Sequence, residues 1–107
     1  MSAAHIRELN DAFRRNLIGG KVLLTASVSA WSIERQAEIL GLVRRYDDFA
    51  EADDPYQEHD FGAFAYEGIK HFWKIDYYAT DGLHGAADPS DPGSTLRVLT
   101  IMQADEY

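Results

Sequence analysis

Apolar residues return at helical spacing along the first segment of the chain. Ile6, Leu9, Phe13 and Leu17 fall on one side of a helix, with Arg7, Arg14 and Arg15 turned away from it. Gly19-Gly20 then supplies the positive φ that stops a helix. Lys21 to Val28 is a β-rich run, apolar enough for an inner strand. Ser32 is placed to cap a second helix, with Glu34 favourable in its first turn. Its stripe is expected at Ile33, Ala37, Leu40 and Val43, leaving Arg35, Glu38, Arg44 and Arg45 outside. Two alternating runs, Phe61 to Tyr66 and Ile69 to Tyr78, flank Glu67-Gly68 and predict a β-hairpin. A stretch from Ala79 to Thr95, broken by Asp88-Pro89 and Asp91-Pro92, is expected to be irregular. Leu96 to Met102 reads as the last strand.

The predicted order is therefore α-β-α-β-β-β. It implies a small two-layer α+β domain over residues 1–107, a four-stranded, mostly antiparallel sheet with two helices on one face. With Glu67 and Gly68 as a two-residue turn, Phe64 faces His71, Gly62 faces Trp73 and, if pairing continues without a bulge, His59 faces Asp76. Alternation puts Phe64, Tyr66, Ile69, His71, Trp73, Ile75 and Tyr77 on the helix side. His59, Lys74, Asp76 and Tyr78 are then expected together on the far side.

Composition narrows the function more by exclusion than by assignment. Of 107 residues, 46% are hydrophobic, which is a folding composition rather than a disordered one. The absence of cysteine removes disulfides, zinc fingers and thiol nucleophiles. No apolar run is long enough to span a bilayer, and the first residues lack the layout of a secretion signal, so a cytoplasmic protein with no membrane partner is expected. A net charge of -8 argues against direct nucleic-acid binding, which rests on Lys and Arg. That charge is unevenly spread: residues 1–46 carry a net +3 and residues 47–107 a net −11. Seven acids lie in the fourteen positions 47–60, which hold no Lys or Arg. Such a segment is either a solvated loop or an acidic face for a basic partner or a cation.

Candidate chemistry gathers at the mouth of the hairpin. His59 and Asp76 could act as a general base and its orienting carboxylate, with Lys74 stabilising charge. The same residues could equally form an ion pair that pins the open end of the hairpin, and no nucleophile accompanies them. A metal site is not supported, because consecutive Glu58-His59-Asp60 cannot close on one ion without a turn, and the acidic loop lacks EF-hand spacing. Gly19-Gly20-Lys21 lacks the spacing of a phosphate-binding loop. Tyr56 and Tyr78, if exposed beside Lys74, would make a contact platform.

At these residues the chain resembles a domain-of-unknown-function family of short alphaproteobacterial proteins of the rhizobial type. The segments that carry the resemblance are Asp54-Pro55-Tyr56-Gln57-Glu58-His59-Asp60-Phe61-Gly62 and Phe72-Trp73-Lys74-Ile75-Asp76-Tyr77-Tyr78, together with Gly20 to Thr25 and Arg97 to Met102. In this family glycine is expected where the chain has Gln57. The resemblance implies that the two central segments belong together, and it implies no activity.

The sequence thus leads to three expectations. The first is an acidic interaction or accessory protein, without cofactor, that recognises a basic or nucleic-acid-binding protein through Tyr56, Glu58, His59, Asp60, Lys74, Asp76 and Tyr78. The second is a small hydrolase or metal-assisted enzyme centred on His59 and Asp76. The third is a homodimer formed through the outer sheet face, where Phe61, Phe72 and Tyr78 would otherwise be uncovered.

Overall fold

In a computed structural model, which describes residues 2–107, helix α1 (Ala3–Asn16) starts at Ser2, whose hydroxyl accepts the His5 N–H at 3.2 Å. It ends one turn before the glycine pair: Leu17 takes the left-handed cap at φ 59, and its N–H returns to the Phe13 carbonyl. Gly20 is already the first residue of β1 (Gly20–Leu24). That strand is shorter than the expected Lys21–Val28 run. After it the chain winds into one helical turn, α2 (Ala26–Ser29), which buries Val28. The turn is set by a distant carboxylate, since Glu106 accepts both the Thr25 hydroxyl at 2.7 Å and the Ser27 N–H at 3.1 Å.

Helix α3 (Ile33–Arg44) is capped by Ser32 as expected, through the Arg35 N–H. Its buried side is rotated from the expected stripe. Ile39 and Val43 face the core, whereas Ile33 is 75% exposed and Ala37 is also at the surface.

Strands β2 (Phe61–Tyr66) and β3 (Ile69–Ala79) form the hairpin in the expected register, with Phe64 opposite His71 and Gly62 opposite Trp73. Glu67 and Gly68 both adopt positive φ, 52° and 73°, as a two-residue turn of this hand requires. Strand β4 (Thr95–Gln103) pairs antiparallel with β3 and parallel with β1, giving a mixed sheet of order β1-β4-β3-β2. A 3-10 turn (Ala104–Glu106) closes the chain. The Ala79–Thr95 connection is irregular but held by its own aspartates: Asp81, Asp88 and Asp91 each accept backbone N–H groups two or three residues on.

The core lies between the helices and one sheet face. Phe13, Val28, Ile39 and Val43 meet Tyr66, Trp73, Ile75, Leu99 and Ile101 there. Trp73 is fully buried, with Tyr46 edge-on at 5.4 Å between ring centroids. Gly62 makes that packing possible, because a Cβ at this position would overlap both the Trp73 and Tyr46 rings. The even-numbered residues of β3 and β4 form the opposite face, away from α1, α2 and α3 among the described residues, although Val98 and Met102 on it are buried.

Candidate functional site

The hairpin register determines which candidate residues meet. Regular pairing stops at Phe61 opposite Lys74, and the preceding segment leaves the ladder. The Ile75 N–H still bonds to the Asp60 carbonyl at 2.8 Å, but Gln57 and His59 take left-handed φ values of 57° and 55°. The left-handed turn at His59 carries its side chain to the helix side. His59 therefore does not face Asp76, and the expected cluster of His59 with Lys74, Asp76 and Tyr78 does not form.

His59 instead bonds to α1. Its Nδ1 lies 2.9 and 3.1 Å from the two carboxylate oxygens of Asp11. A carboxylate offers only acceptors, so Nδ1 carries the ring proton. Nε2 is 3.7 Å from Asp54 Oδ2, and Asp54 Oδ1 accepts the His59 backbone N–H at 3.0 Å. The imidazole lies flat on Phe49, with 3.6 Å between ring centroids. Asp11 in turn accepts from Arg14, which is fully buried. The guanidinium donates to the carbonyls of Val43, Arg44 and Tyr46 and sits against the rings of Phe49 and Trp73. Burial lowers the Arg14 pKa from its usual value, partly offset by Asp11. A concavity of about 500 Å³, bordered by Arg7, Phe49, Glu51, Asp54 and Gln57, opens over the imidazole.

Glu58 also turns inward. It accepts from the Tyr77 hydroxyl at 3.0 Å, and its carbonyl accepts from the buried Asn10 side chain. Asn10 bonds as well to Tyr77 and to Arg97, so one buried amide ties the loop, α1, β3 and β4 together. Burial pushes the Tyr77 hydroxyl well above the ordinary tyrosine range.

The other candidates remain on the outer side. Lys74 Nζ and Asp76 Oδ2 are 2.9 Å apart, and this bond raises the lysine pKa. Asp60, Tyr56 and Asp53 from the acidic loop join Lys74, Asp76 and Tyr107 around a hollow of about 370 Å³. Asp60 is half-buried and has no cationic partner among the described residues. Its pKa is raised by burial first, then by Glu58, with Asp54 and Asp76 adding to the effect. The hollow is continuous, through Lys74, Asp76 and Tyr107, with a trough of about 600 Å³ across the open sheet face. The trough has Leu23, Val98 and Thr100 on its floor and Lys21 and Tyr78 at its sides, and reaches Gly82 at one end. Tyr107 stands at the other end, edge-on to Phe61 and Phe72.

The family model for DUF3768, a protein of unknown function, matches residues 24–106. The chain belongs to this family. The matched span starts after α1, so Asn10, Asp11 and Arg14 of this DUF3768 chain lie ahead of it. No curated protein matches the chain, and no solved structure does. Among the described residues no three His, Asp or Glu side chains are grouped to hold a metal ion, and no helix is long and apolar enough to cross a membrane.

Sequence reasoning missed Asp11, Arg14 and Asn10. A signal for the last two was present: positions 6, 10, 13, 14 and 17 follow one helical stripe, and its polar members, Asn10 and Arg14, are buried along with Ile6 and Phe13.

Proposed function

We propose that this protein is a recognition module whose open sheet face and acidic rim take a basic segment of a protein partner. The observation that carries this reading is Asp60. It is a half-buried carboxylate in a concavity with Asp53, Tyr56 and Asp76, and the one nearby cation, Lys74, is engaged by Asp76. An incoming Lys or Arg would supply the missing counter-charge, and a charge-assisted bond in such a partly desolvated site is among the stronger polar contacts. The 76% exposed Tyr56 ring and the apolar floor offer contact area beside it. Nucleic-acid-binding proteins carry segments of this kind, and a second copy of the chain is an alternative occupant of the same face.

Selection from a random displayed peptide library tests the proposal. Enriched peptides are expected to contain Lys or Arg beside apolar residues, to weaken as salt rises, and to lose most of their affinity to Asp60→Asn. Enrichment without basic residues, or binding indifferent to Asp60→Asn, overturns it.

A second reading, acid–base catalysis at His59, is favoured by one observation. Nδ1 is held on Asp11 at 2.9 Å, the orienting arrangement of a general base, while His59 is part of the lining of the 500 Å³ concavity. The orienting residue in this reading is Asp11 and not Asp76. Turnover of chromogenic ester or phosphodiester substrates that disappears in both His59→Gln and Asp11→Asn would support it, and no turnover by the wild type removes it.

A further inference from the structure

The basic half of the chain places Arg15, Arg44 and Arg45 around one groove of about 590 Å³, where Gly41 is the remaining lining residue. Arginine near a helix C-terminus is favourable against the macrodipole, which accounts for basic residues at the ends of α1 and α3. It does not account for their company. The chain has 18 acids against 10 Lys and Arg, yet none of these three side chains has a carboxylate within ion-pair distance among the described residues. A fourth guanidinium, Arg14, is buried beneath them and bonded to the Val43 and Arg44 carbonyls. Like charges gathered without a counter-ion are a cost that a bound anion removes.

Local geometry aims these groups. Arg44 Nε donates to the Arg15 carbonyl at 2.7 Å, which fixes the base of its fork and leaves its terminal nitrogens without a hydrogen-bond partner among the described residues. Arg45 lies across the bare face of Gly41: a Cβ added there would be 2.9 Å from its Nη1. Next to this groove, sharing Gly41 and Arg45, is a second concavity of about 570 Å³ lined by Ala37, Leu42, Tyr66 and Glu38, whose carboxylate accepts from the Tyr66 hydroxyl. A cationic hollow beside one with Ala37, Leu42 and the Tyr66 ring in its wall matches a ligand with a phosphoryl head and a largely apolar body.

We propose that Arg15, Arg44 and Arg45 bind the phosphate of a small organic phosphate, with its apolar part against Leu42 and Tyr66. The planar forks of arginine suit bidentate contact with phosphate oxygens. A polyanion such as nucleic acid is disfavoured by the overall charge of -8.

Calorimetric titration of the full chain at low salt with adenosine monophosphate, inorganic phosphate and adenosine tests the site. The monophosphate is expected to bind at least tenfold more tightly than inorganic phosphate, and adenosine not measurably. The double variant Arg44→Gln/Arg45→Gln is expected to abolish binding. Gly41→Ala supplies a control for folding. Alanine favours a helix over glycine, so this variant should be at least as stable, yet its Cβ displaces Arg45 Nη1 and should weaken binding severalfold. Absence of monophosphate binding at millimolar concentration overturns the proposal. So does equal affinity for phosphate and monophosphate, or binding that survives the arginine substitutions. Peptide capture by the outer face is unaffected by these variants, so the two proposals fail separately.

Discussion

Arg14 Nη1 lies 2.9 Å from the Val43 carbonyl, so the buried guanidinium of α1 caps the C-terminus of α3. The same nitrogen reaches the Arg44 and Tyr46 carbonyls, and Nη2 reaches Asp11. The Val43 and Arg44 carbonyls lie in the last turn of α3, where a helix runs out of intrahelical donors, and Tyr46 follows its end. Arg14→Met keeps much of the apolar stem but removes the shared donor from all three carbonyls and leaves Asp11 with His59 alone. Removing one member of a buried charged network costs about 3–5 kcal/mol. Urea unfolding should show a loss of that size. Arg14→Lys should recover only part of it, because a single ammonium cannot span both the carbonyls and Asp11.

Asp60 is expected to act against stability. Its folded pKa is raised above the unfolded value, so between the two the folded state binds more protons and stability falls as pH rises. At neutral pH the ionised carboxylate is a liability retained at the proposed binding hollow. Asp60→Asn should therefore melt higher than wild type at pH 7. The difference should shrink as pH falls through the raised folded value and vanish below the unfolded value of about 3.9. Melting curves across pH, with the variant lower throughout, would contradict this.

Much of the architecture was legible because it depends on local signals. Ser32 caps α3, Glu67-Gly68 makes the turn, and the two-residue loop fixes the hairpin register as far as Phe61. What could not be read depends on partners far away in the chain. Strand β1 stops at Leu24 because Glu106, 79 residues beyond Ser27, caps the next turn. Arg14 reads as an outward charge until α3 presents open carbonyls to it. The site was half legible: Asp60, Lys74, Asp76 and Tyr56 do share a surface, but positive φ at His59 moved the imidazole to the other side of the sheet. A single residue in that conformation re-aims a side chain that alternation alone would have placed.

Gln57 at φ 57 occupies backbone space that favours glycine. A side chain there costs roughly 1–2 kcal/mol, and glycine loses about 0.5–1 kcal/mol more chain entropy on folding. Gln57→Gly should thus be neutral to about 1 kcal/mol stabilising in urea unfolding. The Arg7 bond to the residue-57 carbonyl is a backbone contact and should survive the change. Marked destabilisation would mean that the glutamine side chain supports the loop.

His59→Ala removes the Nδ1 donor to Asp11 and the ring that lies beside Asp54 and stacks on Phe49. The loop bonds that depend on this anchor, Asp53 N–H and Asp54 N–H to the Ala50 carbonyl, should open more often. Amide hydrogen exchange is expected to speed up about tenfold at these two positions while β3 amides hold their rates. Uniform acceleration would show instead that His59 supports the whole fold.

Glu106 fastens the C-terminal turn to the start of α2. Burial is the largest single influence and acts to raise its pKa, but the bonds from the Thr25 hydroxyl and the Gln103 and Ser27 N–H groups together outweigh it and hold the carboxyl at about 2. Because the folded value is depressed, its contribution is complete above the unfolded value of about 4.3 and is lost as pH falls toward 2. Glu106→Gln should lower the melting point at pH 7 and converge with wild type near pH 2. The substitution also loosens the turn that positions Tyr107 at the end of the trough. Peptides selected on the outer face should accordingly bind Glu106→Gln more weakly at pH 7, while monophosphate binding at the arginine groove stays unchanged. If peptide affinity is unaffected, the end wall contributed by Tyr107 has no part in recognition.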